Sequence, residues 1–340
     1  MNRLGLLRYI VKRLLLFIPI LFGITLITFT ISYFLPGDPA AVRLGGSPSV
    51  EALEEMRIKM GLYKPIWERY LIYMTDLLKG DLGRSYLTDR PVLYEISDRI
   101  LATLELSFVS LFIIVVVGIP LGILSAFKKN SIIDHVARFV GVSGISIPSF
   151  WLGLVLIFLL FYVARIFPPP LGRLPPGVDE PARITGFYIV DSLLSGNWET
   201  LKLSIYYISL PAITTALVNL APITRMTRSA VLDVLEKDYI KAARAAGLPE
   251  RQIYKDALKN ASIPILTTIG LSIGFMISGS IVIEKVFSWP GIGLFALQSI
   301  ASNDHNPIQA YILIVGLTFA LINLLTDIAY GFVDPRIKYG

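Results

Sequence analysis

Six long stretches of this chain contain no Asp, Glu, Lys or Arg, and each is at least 21 residues long. A helix rises about 1.5 Å per residue, so roughly 20 apolar residues cross the ~30 Å hydrocarbon core of a bilayer. One such stretch could be a buried helix of a soluble protein, but six predict an all-α membrane protein with six transmembrane helices. The predicted spans are residues 14–34, 106–127, 139–164, 203–224, 260–283 and 305–328.

The basic residues indicate how the spans are oriented, because Lys and Arg concentrate in cytoplasmic loops. Residues 1–13 hold four basic residues and no acidic ones, so the N-terminus is predicted to be cytoplasmic. The segments 128–138 and 225–259 also carry a basic excess, and six spans return the tail 329–340 to the cytoplasm. The surplus of +6 therefore lies beside the spans, at the lipid surface of the inner membrane, and does not indicate nucleic-acid binding. The predicted external segments are 35–105, 165–202 and 284–304.

The external segments differ in character. In the first, Ser49 is placed to cap a helix that ends at Gly61. The segment 165–202 is rich in proline and is predicted to form an ordered or extended loop. The segment 284–304 contains an uncharged stretch, but Trp289-Pro290-Gly291 should interrupt a helix there. We predict that this segment is external or re-entrant; the alternative is a seventh span, which would place the C-terminus outside.

The sequence contains no catalytic or nucleotide-binding motif. It lacks the glycine-rich phosphate loop of ATPases, and it has no Cys and only two widely separated histidines, so neither catalysis nor a bound cofactor or metal is predicted. Ion-coupled carriers keep carboxylates or histidines within their spans, whereas Glu105, Glu284 and Asp327 lie at span ends. The chain is predicted to be a non-catalytic passage for a solute, driven by another protein; the alternative is an ion-coupled secondary carrier.

The predicted cytoplasmic loop 225–259 contains the run DYIKAARAAGLP at 238–249. Gly247 is predicted to end a helix there as a left-handed cap, and Pro249 to push Leu248 into an extended conformation. Small residues allow another protein to approach closely, so the helix is either a docking site or a plain surface connector. One face of this helix would hold Tyr239, Ala242, Ala243 and Ala246.

This run resembles the EAA loop of ABC-importer permeases, with Lys241-Ala242-Ala243, Gly247 and Ile263-Pro264 at the signature positions. More specifically, the chain is similar to the dipeptide/oligopeptide/nickel permease family. It resembles the first of that family's two permease types, which has a PGDP motif after the first span, here at 36–39. The signature Glu is Lys241, and the usual proline before the second span is absent at 100–103. Further family-like elements are GIPLGILSA at 118–126, SIPSFWLG at 146–153, RMTRSAVLDVL at 225–235, EKVFSWPGIG at 284–293 and DPR at 334–336.

The resemblance implies an ABC-importer type I permease fold and a set of partners. These are a second homologous permease, two cytoplasmic ATPase subunits that hold ATP and Mg²⁺, and an external solute-binding protein. Residues 238–250 would be the coupling helix that docks on an ATPase subunit, through Asp238, Tyr239, Ala242, Ala243, Ala246, Gly247 and Leu248. The candidate gate or external contacts are Pro290, Gly291 and Asp304.

The solute implied by the resemblance is a dipeptide or oligopeptide, imported by alternating access. Oligosaccharides are the alternative, because tryptophans at 67, 151, 198 and 289 could stack on sugars. Interfacial anchoring explains Trp151 and Trp289 equally well. Nickel is less expected, since the sequence has no cluster of His or Cys.

Overall fold

The structure, a computed structural model, describes residues 3–279 and 281–333, with side chains other than those of 3–10, 12–13, 140–146, 278–279, 327 and 329–333. The motif DPR at 334–336 and the rest of the predicted tail lie outside the described residues. Nearly all of the described chain is helical. In order, the helices are α1 (Arg3–Phe34), α2 (Pro39–Leu44), α3 (Val50–Lys59), α4 (Ile66–Leu78), α5 (Val92–Phe127), α6 (Ile132–Ser146), α7 (Ser149–Leu156, continued as a π-helix over Ile157–Val163), α8 (Tyr188–Leu194), α9 (Trp198–Leu235), α10 (Asp238–Ala245), α11 (Glu250–Gly279), α12 (Ile281–Val286), α13 (Ile292–Ala301) and α14 (His305–Val333).

Five helices of the described chain, α1, α5, α9, α11 and α14, are long and apolar enough to cross a membrane. Two of them extend well beyond the predicted spans: α5 already begins at Val92 and α9 continues to Leu235. With 36 and 38 residues, they are about 54 and 57 Å long, against ~30 Å of hydrocarbon. Residues 106 and 224, where the uncharged stretches begin and end, are therefore not helix ends. A charged residue marks the boundary of the hydrocarbon core, but the helix can continue past it into water.

The third predicted span, 139–164, is not one continuous helix. α6 ends at Ser146, and Pro148 precedes α7 with φ −60° and ψ 135°, an extended conformation. Proline has no N–H to donate and disfavours helical geometry at the residue before it, here Ile147. The predicted span is therefore interrupted at residues 147–148, and the count of six spans stays a prediction.

The segment 284–304 folds as two short helices joined by a turn. α13 has ten residues, about 15 Å, which is half the thickness of the hydrocarbon core. Ile292, Phe295 and Ala296 of α13 are buried against the rest of the chain. In the described structure, segment 284–304 therefore does not form the seventh span that was the alternative prediction for it.

The centre of the molecule is the long packing of α5 along α9, with α11 on α9 and α14 on α11. Gly122 allows α5 and α9 to approach each other closely. A Cβ added at Gly122 would lie 2.7 Å from the Thr224 carbonyl oxygen and 2.7 Å from Thr227 Cβ. Thr224 Oγ1 also donates to the Gly118 carbonyl, at 3.2 Å. These two helices form a tightly packed pair, to which the functional loop is attached.

The segment after the first span follows its local signals. Ser49 caps α3 by accepting from the Ala52 N–H at 3.2 Å, and Gly61 has φ +66°, so the predicted helix limits are confirmed. Asp38 of the PGDP motif caps α2 and binds the Arg57 guanidinium at 2.7 Å. Burial raises the pKa of Asp38, but the hydrogen bonds from Arg57 and the Ala40 N–H outweigh it, and the net pKa is below its usual value.

Candidate functional site

The predicted docking loop forms a short helix, α10, between two long ones. Asp238 in its first turn suits the positive end of the helix dipole. At its other end the Gly247 N–H donates to the Arg244 carbonyl and the Leu248 N–H to the Ala243 carbonyl, at 3.0 and 3.1 Å. This is the Schellman arrangement, and Gly247 has the left-handed φ of +79° that it requires. The predicted left-handed cap is confirmed.

The residues predicted to touch a partner lie mostly on the outside of α10 and its turn. Ala243 is half-buried and the other six are exposed. The residue that holds α10 to the body is Ile240, which is only 1% exposed and which the sequence reasoning did not single out. The Ala-rich periodicity pointed to the open face, whereas Ile240 marks the opposite face that packs on α9 and α11. The structure thus brings six of the seven predicted residues together on one accessible surface.

Polar contacts fix the angle between α10 and α11. The Arg244 guanidinium spans the bend and donates to both carboxylate oxygens of Glu250, at 2.8 and 3.2 Å. The hydrogen bond from Arg244 holds the pKa of Glu250 below its usual value. Asn260 Nδ2 donates to the Tyr239 hydroxyl at 3.0 Å. α10 is therefore clamped to the start of α11 at both of its ends.

The same side of the molecule contains a buried ion pair that sequence reasoning missed. Asp134 is fully buried and accepts from Arg228 Nε and Nη2, at 2.6 and 3.0 Å, and from Ser125 Oγ at 2.6 Å. The hydrogen bond from Arg228 holds the pKa of Asp134 well below its usual range. Arg228 lies in the RMTRSAVLDVL element, which was the available signal. This pair joins α5, α6 and α9 next to the docking loop.

On the predicted external side, the turn between α12 and α13 is tightly packed. Glu284 is fully buried, accepts from Thr103 Oγ1 at 2.6 Å and accepts from the Leu294 N–H at 2.8 Å. Trp289 Nε1 donates to the Ala102 carbonyl at 2.8 Å. A Cβ added at Gly291 would collide with Glu284 and Thr103. Gly291 thus allows close packing on α5, and its role as a gate stays a prediction.

The two other candidate gate or contact residues differ in exposure. Asp304 is 3% exposed and accepts from Ser85 Oγ and from the Tyr86 N–H, at 2.5 and 3.0 Å. The Asp304 carboxylate is thus bound by loop 85–87, and its role as a gate or external contact stays a prediction. Pro290 is exposed and lines a cavity of about 230 Å³ together with Arg99 and Arg173.

The proline-rich loop is held down by a second buried ion pair. Arg173 Nη2 donates to Glu105 Oε2 at 2.6 Å, and both side chains are at least nine-tenths buried. The Ile189 N–H donates to the other Glu105 oxygen at 2.8 Å, and the Arg173 guanidinium lies 3.3 Å from the centre of the Tyr188 ring. The Glu105 carboxylate thus holds the proline-rich loop against the start of the second predicted span.

Comparison with known families defines the class of protein. Residues 118–339 match the family described as binding-protein-dependent transport system inner membrane component, and residues 6–107 match the N-terminal part of that membrane component. The chain belongs to this family of inner-membrane transport proteins. The predicted family, its transport role and the multi-pass inner-membrane location are thereby confirmed.

Individual relatives narrow the resemblance. The chain is 42% identical over 339 residues to the dipeptide transport system permease protein DppB of Alkalihalophilus pseudofirmus, covering 98% of this chain and 100% of that protein. It is 40% identical over 337 residues to DppB of Escherichia coli K12, covering 98% and 99%. The probable D,D-dipeptide transport system permease protein DdpB of E. coli K12 is 42% identical over 319 residues, covering 94% of each chain.

A solved structure shows the fold. The inward-facing MetNI methionine ABC transporter matches with a TM-score of 0.52 at 17% identity, over 71% of this chain and 97% of that one. The described helices thus have the ABC-importer permease fold that the sequence predicted.

Proposed function

We propose that this chain is the permease subunit of an ABC importer that takes up dipeptides and oligopeptides by alternating access. The family is a component of binding-protein-dependent transport, and relatives that match almost the whole chain at 40–42% identity are named as dipeptide permeases. A peptide is accordingly the solute class that the comparisons favour over an oligosaccharide.

The observation that carries the proposal is the exposed face of α10, which is clamped in place and which none of the described residues covers. In an ABC importer this surface would dock on one of two ATPase subunits, which bind ATP and Mg²⁺ and perform the hydrolysis. The permease itself would be non-catalytic. A second, homologous permease would complete the passage and supply the docking helix for the other ATPase.

The packing around α10 suits it to transmit movement. Ile240 and the Arg244–Glu250 pair join α10 to α11, and the ring of Tyr254 on α11 stacks on Phe127 at the end of α5, with centroids 4.0 Å apart. Lys129, just after α5, pairs with Glu236 before α10 at 2.9 Å. A push on α10 would therefore reach α5 and α9 as a unit, since tightly packed elements move by rigid-body shifts.

An external solute-binding protein would deliver the peptide to the opposite face. The segments 35–105 and 165–202 would form the surface there, and the buried pair Glu105–Arg173, which joins them, gives that surface a defined shape. A rigid surface favours recognition of a folded partner, because little conformational freedom is lost on binding.

Reconstitution tests the proposal. The chain would be co-expressed with the permease, ATPase and binding-protein subunits of its transport system and placed in proteoliposomes. We expect uptake of a labelled dipeptide that requires ATP and the binding protein. Uptake driven by a proton or sodium gradient without ATP would contradict the ABC mechanism. Uptake of maltotriose but not of dipeptides would contradict the proposed solute.

A further inference from the structure

Helix α4 lies in the segment predicted to be external, yet it contacts residues in the middle of α1, the first predicted span. The Tyr70 hydroxyl lies 3.0 Å from Thr25 Oγ1, and because Thr25 already donates to the Phe22 carbonyl, Tyr70 is the donor. The Tyr70 ring also packs edge-on against Phe22 and Phe29 of α1, with centroids 6.2 and 5.3 Å apart. α4 therefore crosses α1 beside residues 22–33.

The depth of these contacts follows from helix geometry. The apolar part of α1, Leu14–Phe34, has 21 residues, about 31 Å, which matches the hydrocarbon core from one boundary to the other. Phe29, Thr25 and Phe22 are then about 7.5, 13.5 and 18 Å inside the boundary at Phe34. Because the Tyr70 side chain reaches residues this far inside the boundary, α4 lies partly within the membrane and not in the surrounding water.

The outward surface of α4 agrees with that position. Four of its side chains, Trp67, Leu71, Met74 and Leu78, recur at helical spacing and form one apolar stripe. Of these, Trp67 is 63%, Leu71 55% and Leu78 81% exposed. Glu68 and Asp76 lie on the polar side of the same helix. Large exposed apolar side chains on one face and charges on the other are the mark of a helix lying in a membrane interface.

The stripe continues a surface that already faces lipid. α1 exposes Phe22 and Leu26 beside its contact with α4, and Ile27, Ile31 and Phe34 farther round the helix. In a family of inner-membrane proteins such an apolar surface of a span contacts lipid. Trp67 also has the side chain that favours the interfacial zone. Continuity of the two apolar surfaces thus identifies the occupant as lipid.

We propose that α4 is a monotopic helix, half-embedded in the membrane leaflet on the side of segment 35–105, that packs along the outer half of α1. Its apolar stripe contacts acyl chains, and its charged side faces water. Among the described elements α1 packs chiefly on α14, and α4 supports it as a second, smaller contact. The proposal rests on the inner-membrane location and is independent of the transported solute.

Spin labels test this directly, because the chain has no cysteine. With partner subunits whose own cysteines have been replaced, a single introduced cysteine carries the only label. Trp67→Cys and Leu71→Cys would be labelled in the assembled transporter in lipid nanodiscs. Glu55→Cys on α3, which is exposed and outside the stripe, serves as the matched control. Power saturation by oxygen, which partitions into lipid, is compared with saturation by a water-soluble nickel chelate.

At positions 67 and 71 we expect oxygen to relax the label more strongly than the nickel chelate, with the reverse order at position 55. Stronger relaxation by nickel at 67 and 71 would place α4 in water and overturn the proposal. Exclusion of both reagents with an immobilised spectrum would mean that a protein partner covers the stripe, which would overturn it equally. If Trp67→Cys fails to assemble, Leu78→Cys probes the same stripe.

Discussion

Two regions of this molecule, the packed external segments and the short helix α10, use charged side chains in opposite ways. On the predicted external side, Glu105, Glu284 and Asp304 are buried, and each is hydrogen-bonded within the chain. On the docking helix α10, the pair Arg244–Glu250 is about half exposed, with 43% and 52% of the side chains accessible. The three external carboxylates thus bond to groups of the same chain, whereas the charged groups of α10 remain accessible to solvent. The buried external carboxylates are stabilised by groups within this chain. The exposed face of α10 is accessible to another protein.

The largest expected effect comes from breaking the buried pair on the external side. Arg173→Leu leaves Glu105 buried without its counter-charge, which should lower the free energy of unfolding by about 3–5 kcal/mol. Thermal unfolding of the purified protein would measure it. Arg183→Leu is the matched control, since Arg183 lies in the same loop but forms an exposed ion pair with Asp98 that should contribute less than about 1 kcal/mol. Equal losses in the two variants would contradict the importance of burial.

Removing the apolar anchor of α10 should have the next largest effect. Ile240→Ala deletes a buried side chain, which costs about 2–5 kcal/mol in protein cores, and we expect the lower end because α10 is short. Leu248→Ala is the comparison, because Leu248 is 41% exposed. We expect Ile240→Ala to increase hydrogen exchange throughout α10 in the isolated permease. Leu248→Ala should leave that exchange unchanged and weaken only the co-purification of the ATPase.

The left-handed cap at Gly247 should matter more for coupling than for stability. A Cβ at Gly247 meets nothing within 4 Å, so the cost of Gly247→Val is conformational, about 1–2 kcal/mol. The strained turn should reorient α10 and reduce ATP-dependent uptake while the spans remain folded. Gly247→Asn, which tolerates the left-handed conformation, should retain uptake. Full uptake with Gly247→Val would argue against the docking role of this turn.

The exposed ion pair should give the smallest effect. Arg244→Gln removes the bidentate contact with Glu250, and because both groups are largely solvated the loss should stay below about 1 kcal/mol. Differential scanning fluorimetry should show a melting temperature close to that of the unmodified protein. A loss as large as that of Arg173→Leu would mean that the bend is held mainly by this pair and not by Ile240.

Some structural features were predictable because they depend on neighbours in sequence. The cap at Ser49, the left-handed Gly247 and the apolar lengths of α1 and α14 all follow from local geometry and from counting residues. The break at Pro148 was also visible locally, but prolines are tolerated inside membrane helices when neighbours satisfy the freed backbone groups. Pro120 and Pro264 do lie within continuous helices, and the sequence alone does not distinguish these cases.

The site shows the same division. The residues on the open face of α10 were predicted from periodicity and family resemblance. Ile240 was not, because a single isoleucine has no local sign of what it packs against. The burial of Asp304 was not predicted either, because its partners Ser85 and Tyr86 are more than 200 positions away.

The sequence by itself determined that this chain is an all-helical membrane protein of a known transport family, and that a short helix ends in a left-handed turn at Gly247. Those properties depend on apolar length, charge and residues a few positions apart. Only the tertiary structure decided which charges are buried, as in Glu105–Arg173 and Asp134–Arg228, and that α4 leans on α1. The reason is physical: a buried charge is stable only beside its partner, and partners 68 or 94 residues apart meet only when the helices pack.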